Sequence, residues 1–132
     1  MKKFGLSANE RIKSRKDFDR LYSFGKVIYS SKKRIKTIYL LEVAENKPSI
    51  QITAVVPKKS GSAYWRNRVK KLIKEAYRLN KDTIVRRCAE KNISAQIIFM
   101  SFNLSEKTNK KIKLNDLLPE VLDNLYKIMN SI

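Results

Sequence analysis

The segment Arg66 to Arg78, RNRVKKLIKEAYR, combines two periodicities that together suit the holding of a polyanion. Val69, Leu72, Ile73 and Ala76 recur at helical spacing and form an apolar stripe that must pack on something. At 100° per residue, Arg66, Asn67, Lys70, Lys71, Lys74 and Arg78 gather on another side of the same helix. Only Glu75 stands near them as a counter-charge. Solvated helix faces ordinarily mix signs and gain i,i+4 pairs, whereas this one repels itself. Phosphate groups would relieve that repulsion. Arginine grips two phosphate oxygens with a planar fork, and lysine acts as a mobile point charge; Arg68 joins the set as the second fork. Asn67 adds a donor and an acceptor near the helix start, where the helix dipole also favours an anion. Lys58 and Lys59 precede the helix in Lys58-Lys59-Ser60-Gly61. That run lacks the G-x-x-x-x-G-K pattern of a nucleotide-hydrolysing loop, and Gly61 is expected in a turn of positive φ.

A second constellation is Phe18, Tyr22 and Tyr39, with Lys36 nearby in sequence. Aromatic rings beside a sheet stack unpaired bases with little sequence preference. Phe18 and Tyr22 fit core packing as well as stacking. Tyr39 is the surface candidate, because its hydroxyl wants water or a partner.

The whole chain agrees with a polyanion partner. Its 132 residues carry 30 Lys+Arg against 12 Asp+Glu, a formal net charge of +18. No apolar run approaches the ~20 residues that span a bilayer, and MKKFGLSANERIK has no apolar core suited to a signal peptide. Nucleic acid is therefore favoured over a membrane, and 42% hydrophobic content argues for a folded domain over a disordered one. There is no histidine, the commonest general base and metal ligand. Cys88 is alone, which fits a small apolar residue in a reducing cytoplasm. Two rival classes keep a foothold. A ribosomal protein would have the same size and charge. A metal-dependent nuclease would need Glu45 to converge with Asp17 or Asp19, although Glu45-Asn46-Lys47-Pro48 reads as a turn.

These residues need a scaffold. Ser14 is expected to cap a short helix, with Asp17 in a capping-box position and Gly25 closing it in the left-handed region. Val27 to Ser30 reads as a short strand. Ile35 to Val43 is β-branched and aromatic and reads as a longer one, with Ile35, Thr37, Tyr39, Leu41 and Val43 on one face. Ile50 to Val56 makes a strand expected to pair antiparallel with it across the Glu45–Pro48 turn, and Pro57 ends it. Ser62 should cap the basic helix, which runs to about Asn80 with a second piece from Thr83 to Lys91. Ile93 to Ser101 is almost continuously apolar, as suits a strand covered on both faces. Ser105 to Lys113 is a basic loop. Leu117 to Met129 forms an amphipathic helix, with Asp116 as N-cap and Pro119 in its first turn. The order αβββαβα makes one α+β sandwich domain over 1–132, with a flexible basic N-terminus to about residue 12.

Lys58-Lys59-x-Gly61-x-Ala63-x-x-Arg66-Asn67-Arg68-Val69-Lys70-Lys71-Leu72-Ile73-Lys74-Glu75-Ala76 resembles the signature of the bacterial ribonuclease P protein subunit. Upstream, Arg11-Ile12-Lys13, Asp17-Phe18, Tyr22 and Gly25 resemble that family's N-terminal helix. The resemblance implies the small protein partner of a catalytic RNA that removes the 5′ leader from precursor tRNA. It implies a cytoplasmic protein without catalytic residues, with no metal held by its own side chains, no membrane and no obligate protein partner. Mg²⁺ would be required by the RNA subunit. Arg66, Asn67, Arg68, Lys70, Lys71, Lys74, Lys58 and Lys59 would face that RNA. Phe18, Tyr22, Tyr39, Thr37 and Lys36 would line a cleft for the single-stranded leader. The family fold, like domain 2 of ribosomal protein S5, implies a left-handed β-α-β crossover around the basic helix, against the usual handedness. The chain departs from the pattern at Lys71 and Lys74, usually arginine, and at the bulky pair Tyr64-Trp65.

Overall fold

The structure, a computed structural model, describes residues 10–12 and 14–132. Helix α1 spans Arg15–Phe24, and Ser14 caps it by accepting from the Lys16 backbone N–H at 3.2 Å, so Asp17 completes no capping box. Strands β1 (Lys26–Tyr29), β2 (Ile35–Val43) and β3 (Ile50–Val55) follow. A single 3₁₀ turn, Lys58–Ser60, leads to helix α2 (Ala63–Lys91), strand β4 (Ile93–Ser101) and helix α3 (Leu114–Asn130). The expected order and the α+β class hold.

Sheet order is β1-β2-β4-β3. The expected β2–β3 hairpin does not form: β4 lies between them, antiparallel to β2 from Ile35↔Ser101 to Val43↔Ile93 and parallel to β3 from Ile50↔Ala95 to Val55↔Met100. The physical reason is burial. β4 is apolar on both faces and gains most from a central place, whereas the shorter β3 serves at the edge. On the outer side of β3, Arg11 bridges Ile52 in parallel, and the Ile12 N–H donates to the Ile52 carbonyl at 3.1 Å. Arg11 and Ile12 are thus docked on the sheet edge, with Glu10 paired to Lys81 of α2, where a flexible end was expected; residues 1–9 and Lys13 of the expected N-terminal features lie outside the described residues.

Helix α2 is one continuous helix of 29 residues, capped by Ser62 and closed by Asn92 in the left-handed region at φ 55°. No break occurs near Asn80, because Ile84 and Cys88 extend the buried stripe of Val69, Ile73, Ala76 and Tyr77. Helix α3 starts one turn earlier than expected. Lys113 is its N-cap, and Asp116 sits inside, its Oδ2 accepting from the Lys113 N–H at 2.8 Å. Pro119 therefore falls in the second turn, where its missing N–H costs one helical bond. Leu117, Val121, Leu125 and Ile128, all buried, hold the helix in place regardless.

Both expected left-handed glycines are extended instead: Gly25 has φ −69° and Gly61 φ 170°. Space, not torsion, demands them. A Cβ on Gly25 would lie 2.5 Å from the Leu21 carbonyl oxygen and 2.6 Å from Ile38 Cγ2; on Gly61 it would lie 2.8 Å from Trp65 Cε3 and Glu106 Cβ.

The sheet has two unequal faces. Odd-numbered residues of β2 and β4, with Ile50, Ile52 and Ala54 of β3, pack under α2 and α3 as the main core. Even-numbered residues face α1, where a smaller cluster joins Ile12, Leu21, Ile38 and Ile98, with Phe18, Leu40 and Val55 partly buried against it.

Candidate nucleic-acid interface

Across α2 the packed side carries Trp65, Val69, Ile73 and Tyr77, which leaves Asn67, Lys71 and Arg78 outermost, with Lys70 and Lys74 on one flank. From Asn67 to Arg78 this basic row runs about 16 Å at 1.5 Å per residue. Its one local counter-charge is used up, since Glu75 binds Arg78 at 2.7 Å. Lys74 is half-buried, and burial first, then the charges of Arg11 and Lys70, lower its pKa. Burial alone would act in the same direction, and the two neighbouring cations add to it.

The Arg-Asn-Arg triplet divides its labour. Asn67 is exposed, whereas Arg66 donates from Nε to the Gly61 carbonyl at 3.1 Å. Arg68 closes a fork on the Ile112 carbonyl, Nη2 at 2.9 Å and Nε at 3.2 Å. Each arginine keeps donors for an outside anion, but both are also fasteners. Tyr64, not expected at the site, is 82% exposed and shares a groove of about 410 Å³ with Asn67, Arg68 and Lys71. Its place one turn before Arg68 was the available signal.

On the opposite face α1 crosses the sheet from the β3 edge, where Ile12 docks, to β1. Leu21 is its one fully buried residue. Arg20 pairs with Glu42 at one end of the sheet. Phe18 and Tyr22 lie on the other flank of the helix at 100° per residue, and so face the opposite end. There a cross-sheet row runs Tyr29, Lys36, Met100, Val55, with Phe102 edge-on to Tyr29 at 5.2 Å. Phe18, half-buried, and Tyr22, 52% exposed, thus stand over the sheet face that carries Lys36. Lys59 meets it: Lys36, Lys59, Met100 and Phe102 line one depression of about 550 Å³. Lys58 is exposed beside it.

Thr37 and Tyr39 do not belong to this face. Both sit on the α2/α3 face and are buried, Thr37 accepting from Asn124 Nδ2 at 2.7 Å and the Tyr39 hydroxyl sharing a 3.1 Å hydrogen bond with Ser131 Oγ. Strand alternation puts them back to back with Lys36. Tyr29, Met100 and Phe102, which sequence reasoning did not single out, lie with Lys36 at that end of the sheet; pairing Lys36 across to β4 and stepping on by two would have found the last two.

Among the described residues no three His, Cys, Asp or Glu side chains come together, so Glu45 has no carboxylate cluster to join. Nor, among those residues, is any helix long and apolar enough to cross a membrane.

The model of the ribonuclease P family matches residues 6–121. The chain belongs to the ribonuclease P protein family. A ribonuclease P protein component from Clostridium novyi is 32% identical over 109 residues, 82% of this chain and 88% of that protein. One from Syntrophus aciditrophicus is 39% identical over 85 residues, 62% of this chain and 65% of the relative's length. The solved ribonuclease P protein of Thermotoga maritima superposes with a TM-score of 0.68, covering 89% of this chain and 96% of that one at 20% identity, a likeness of fold. Membership makes the chain a protein subunit of ribonuclease P.

Proposed function

We propose that this chain binds the ribonuclease P RNA through the exposed face of α2 and holds the single-stranded 5′ leader of precursor tRNA between α1 and the sheet. The observation that carries this reading is the pairing of two unlike surfaces on one small domain. One is a cationic helix face from Asn67 to Arg78 whose Glu75 is already paired with Arg78; the other joins the exposed Tyr22 ring on α1 to a depression lined by Lys36 and Lys59 at the same end of the sheet. The first suits the folded backbone of a structured RNA, the second an unpaired strand whose bases stack and whose phosphates meet Lys36 and Lys59. The chemistry of cleavage belongs to the RNA subunit and its Mg²⁺ ions in the cytoplasm. The protein raises affinity for precursor over mature tRNA by its leader contacts. It also lowers the Mg²⁺ requirement, because its cations screen phosphate repulsion.

The test mixes purified protein, a bacterial ribonuclease P RNA and 5′-labelled precursor tRNA at a Mg²⁺ concentration where the RNA alone is idle. Release of the leader only when both are present is the expected result. No stimulation, with co-sedimentation on ribosomes instead, would assign the cationic face to ribosomal RNA. Cleavage by protein alone, abolished in Glu45→Ala, would make it a nuclease in its own right.

A further inference from the structure

The loop between β4 and α3 carries Lys107, Lys110, Lys111 and Lys113, all exposed, and among the described residues none of them is in an ion pair. Such a loop would normally drift away from a cationic helix. This one is fastened to the start of α2 at three places. Glu106 accepts from the Ser62 N–H at 2.8 Å while its own N–H donates to the Ser60 carbonyl at 2.8 Å. Trp65, 2% exposed, donates its indole N–H to the Asn109 carbonyl at 3.0 Å. Arg68 forks onto the Ile112 carbonyl. Four like charges are thereby held against the start of α2, whose first turn has no acidic residue, a cost that one shared anionic ligand would relieve.

We propose that this loop is a second, preorganised RNA-backbone strip continuous with the α2 face, and that Arg68 acts as the positioning residue that holds it there. The inference rests on the proposed partnership with ribonuclease P RNA and extends its surface. Two observations favour RNA over a membrane. Within the basic stretch Lys107–Lys113 the one apolar residue, Ile112, is 3% exposed, so that stretch offers nothing for insertion among lipid chains. The groove lined by Arg34, Lys110 and Lys111 adjoins the one lined by Asn67, Arg68 and Lys71 across the Arg68–Ile112 fork, so one backbone can follow both. Asp116 is the carboxylate on that first groove, and its Oδ2 is engaged by the Lys113 N–H.

The experiment measures affinity of the full chain for ribonuclease P RNA against KCl concentration. It compares wild type, the triple variant Lys107→Ala/Lys110→Ala/Lys111→Ala, Arg68→Lys, and all four changes together. Three lost phosphate contacts should reduce the steepness of log K against log salt by about 2, at roughly 0.7–0.9 per contact. Arg68→Lys keeps its charge but loses the fork, so it should flatten the slope by releasing the loop and speed amide exchange at Glu106 and Ile112. In the triple background it should then add almost nothing to the slope. A triple variant with the wild-type slope, or one whose RNA binding is intact while only binding to anionic phosphatidylserine vesicles weakens, overturns the strip. Additive effects of Arg68→Lys and the triple change overturn the positioning role, because Arg68 would then act apart from the loop lysines. Failure of wild type to bind the RNA at all is a different failure, that of the partnership. Exposed lysines leave the fold intact, which unchanged amide exchange in α2 verifies.

Discussion

Tyr22→Ala separates stacking from packing on α1. Tyr22 is 52% exposed, while its neighbour Leu21 is fully buried. An aromatic ring buries 150–250 Å² when enclosed, so the half that Tyr22 covers corresponds to about 100 Å² and at most about 2.5 kcal/mol at 25 cal/mol per Å². Alanine retains part of that contact, and a loss of about 1 kcal/mol in unfolding free energy is expected. Stacking against a base is worth ~1–3 kcal/mol, so the reconstituted holoenzyme should bind precursor tRNA about 5- to 150-fold more weakly. Mature tRNA, which has no leader, should bind as before. Urea denaturation gives the first quantity, and paired Kd measurements on precursor and mature tRNA give the second. Tyr22→Phe keeps the ring and should keep the affinity. Equal weakening toward both tRNAs, or an unchanged precursor Kd, would refute the groove. A stability loss well above 2 kcal/mol would refute the packing arithmetic and return the ring to the core. Phe18→Ala should do both kinds of damage, since Phe18 is partly buried against Ile38 and Ile98.

Gly25→Ala should cost about 1–3 kcal/mol of stability by overpacking against the Leu21 carbonyl and Ile38, and should also loosen the proposed leader groove by lifting α1; a variant as stable as wild type would show that the contact relaxes freely. Thr37→Val leaves one Asn124 Nδ2 hydrogen unpaired in a buried site, at a cost of about 1–3 kcal/mol in denaturant unfolding, while precursor tRNA affinity stays unchanged. Lys74 has a lowered pKa in the free protein, and a bound phosphate would raise it again. RNA affinity should therefore decline as pH rises above the lowered value, through proton uptake on binding; Lys74→Gln should remove that component from calorimetric titrations in buffers of different ionisation enthalpy. The same sign makes the free fold's stability rise with pH across that window, because the folded state sheds the proton first. Tyr22→Ala and Lys71→Ala lie on opposite faces of the sheet, so their binding losses should add within about 0.5 kcal/mol, and a larger coupling would mean the faces communicate.

Strand boundaries at Ile35–Val43 and Ile93–Ser101 were legible because β-branched and aromatic residues crowd those segments and polar ones flank them. Partnership was not. Nothing local in Ile50–Val55 says that its neighbour is a strand some 40 residues later, and the adjacent strand in sequence was the natural guess. The two faces of β2 were also legible by alternation, yet both are apolar, with Ile35 on one and Ile38 on the other, so α1's side was hidden. Even so, parity alone separates Lys36 from Thr37 and Tyr39, and grouping them in one cleft conflicted with that rule. Glycine misled for a different reason. A missing side chain marks either an unusual torsion or a lack of room, and only the packing of Ile38 and Trp65 tells which.

The basic face shows how sequence identifies a ligand class more readily than it assigns individual contacts. Composition and the one-sided helix pointed to a polyanion without help from the fold. What they could not show is that Arg66 and Arg68 also bind backbone carbonyls, the second of them 44 residues away in sequence. A guanidinium suits that double duty, since its rigid fork satisfies a buried carbonyl on one edge and leaves the other edge to an anion. Lysine has no such second edge. Among the described residues, Lys71 and Lys74, where the resemblance leads one to expect arginine, donate to no carbonyl, and an ammonium on a flexible stem can follow a phosphate as a mobile point charge. The triplet is thus rigid where the loop must be held and the face is mobile where the ligand must be met, which is why Arg68→Lys should harm this chain more than the loss of either lysine charge.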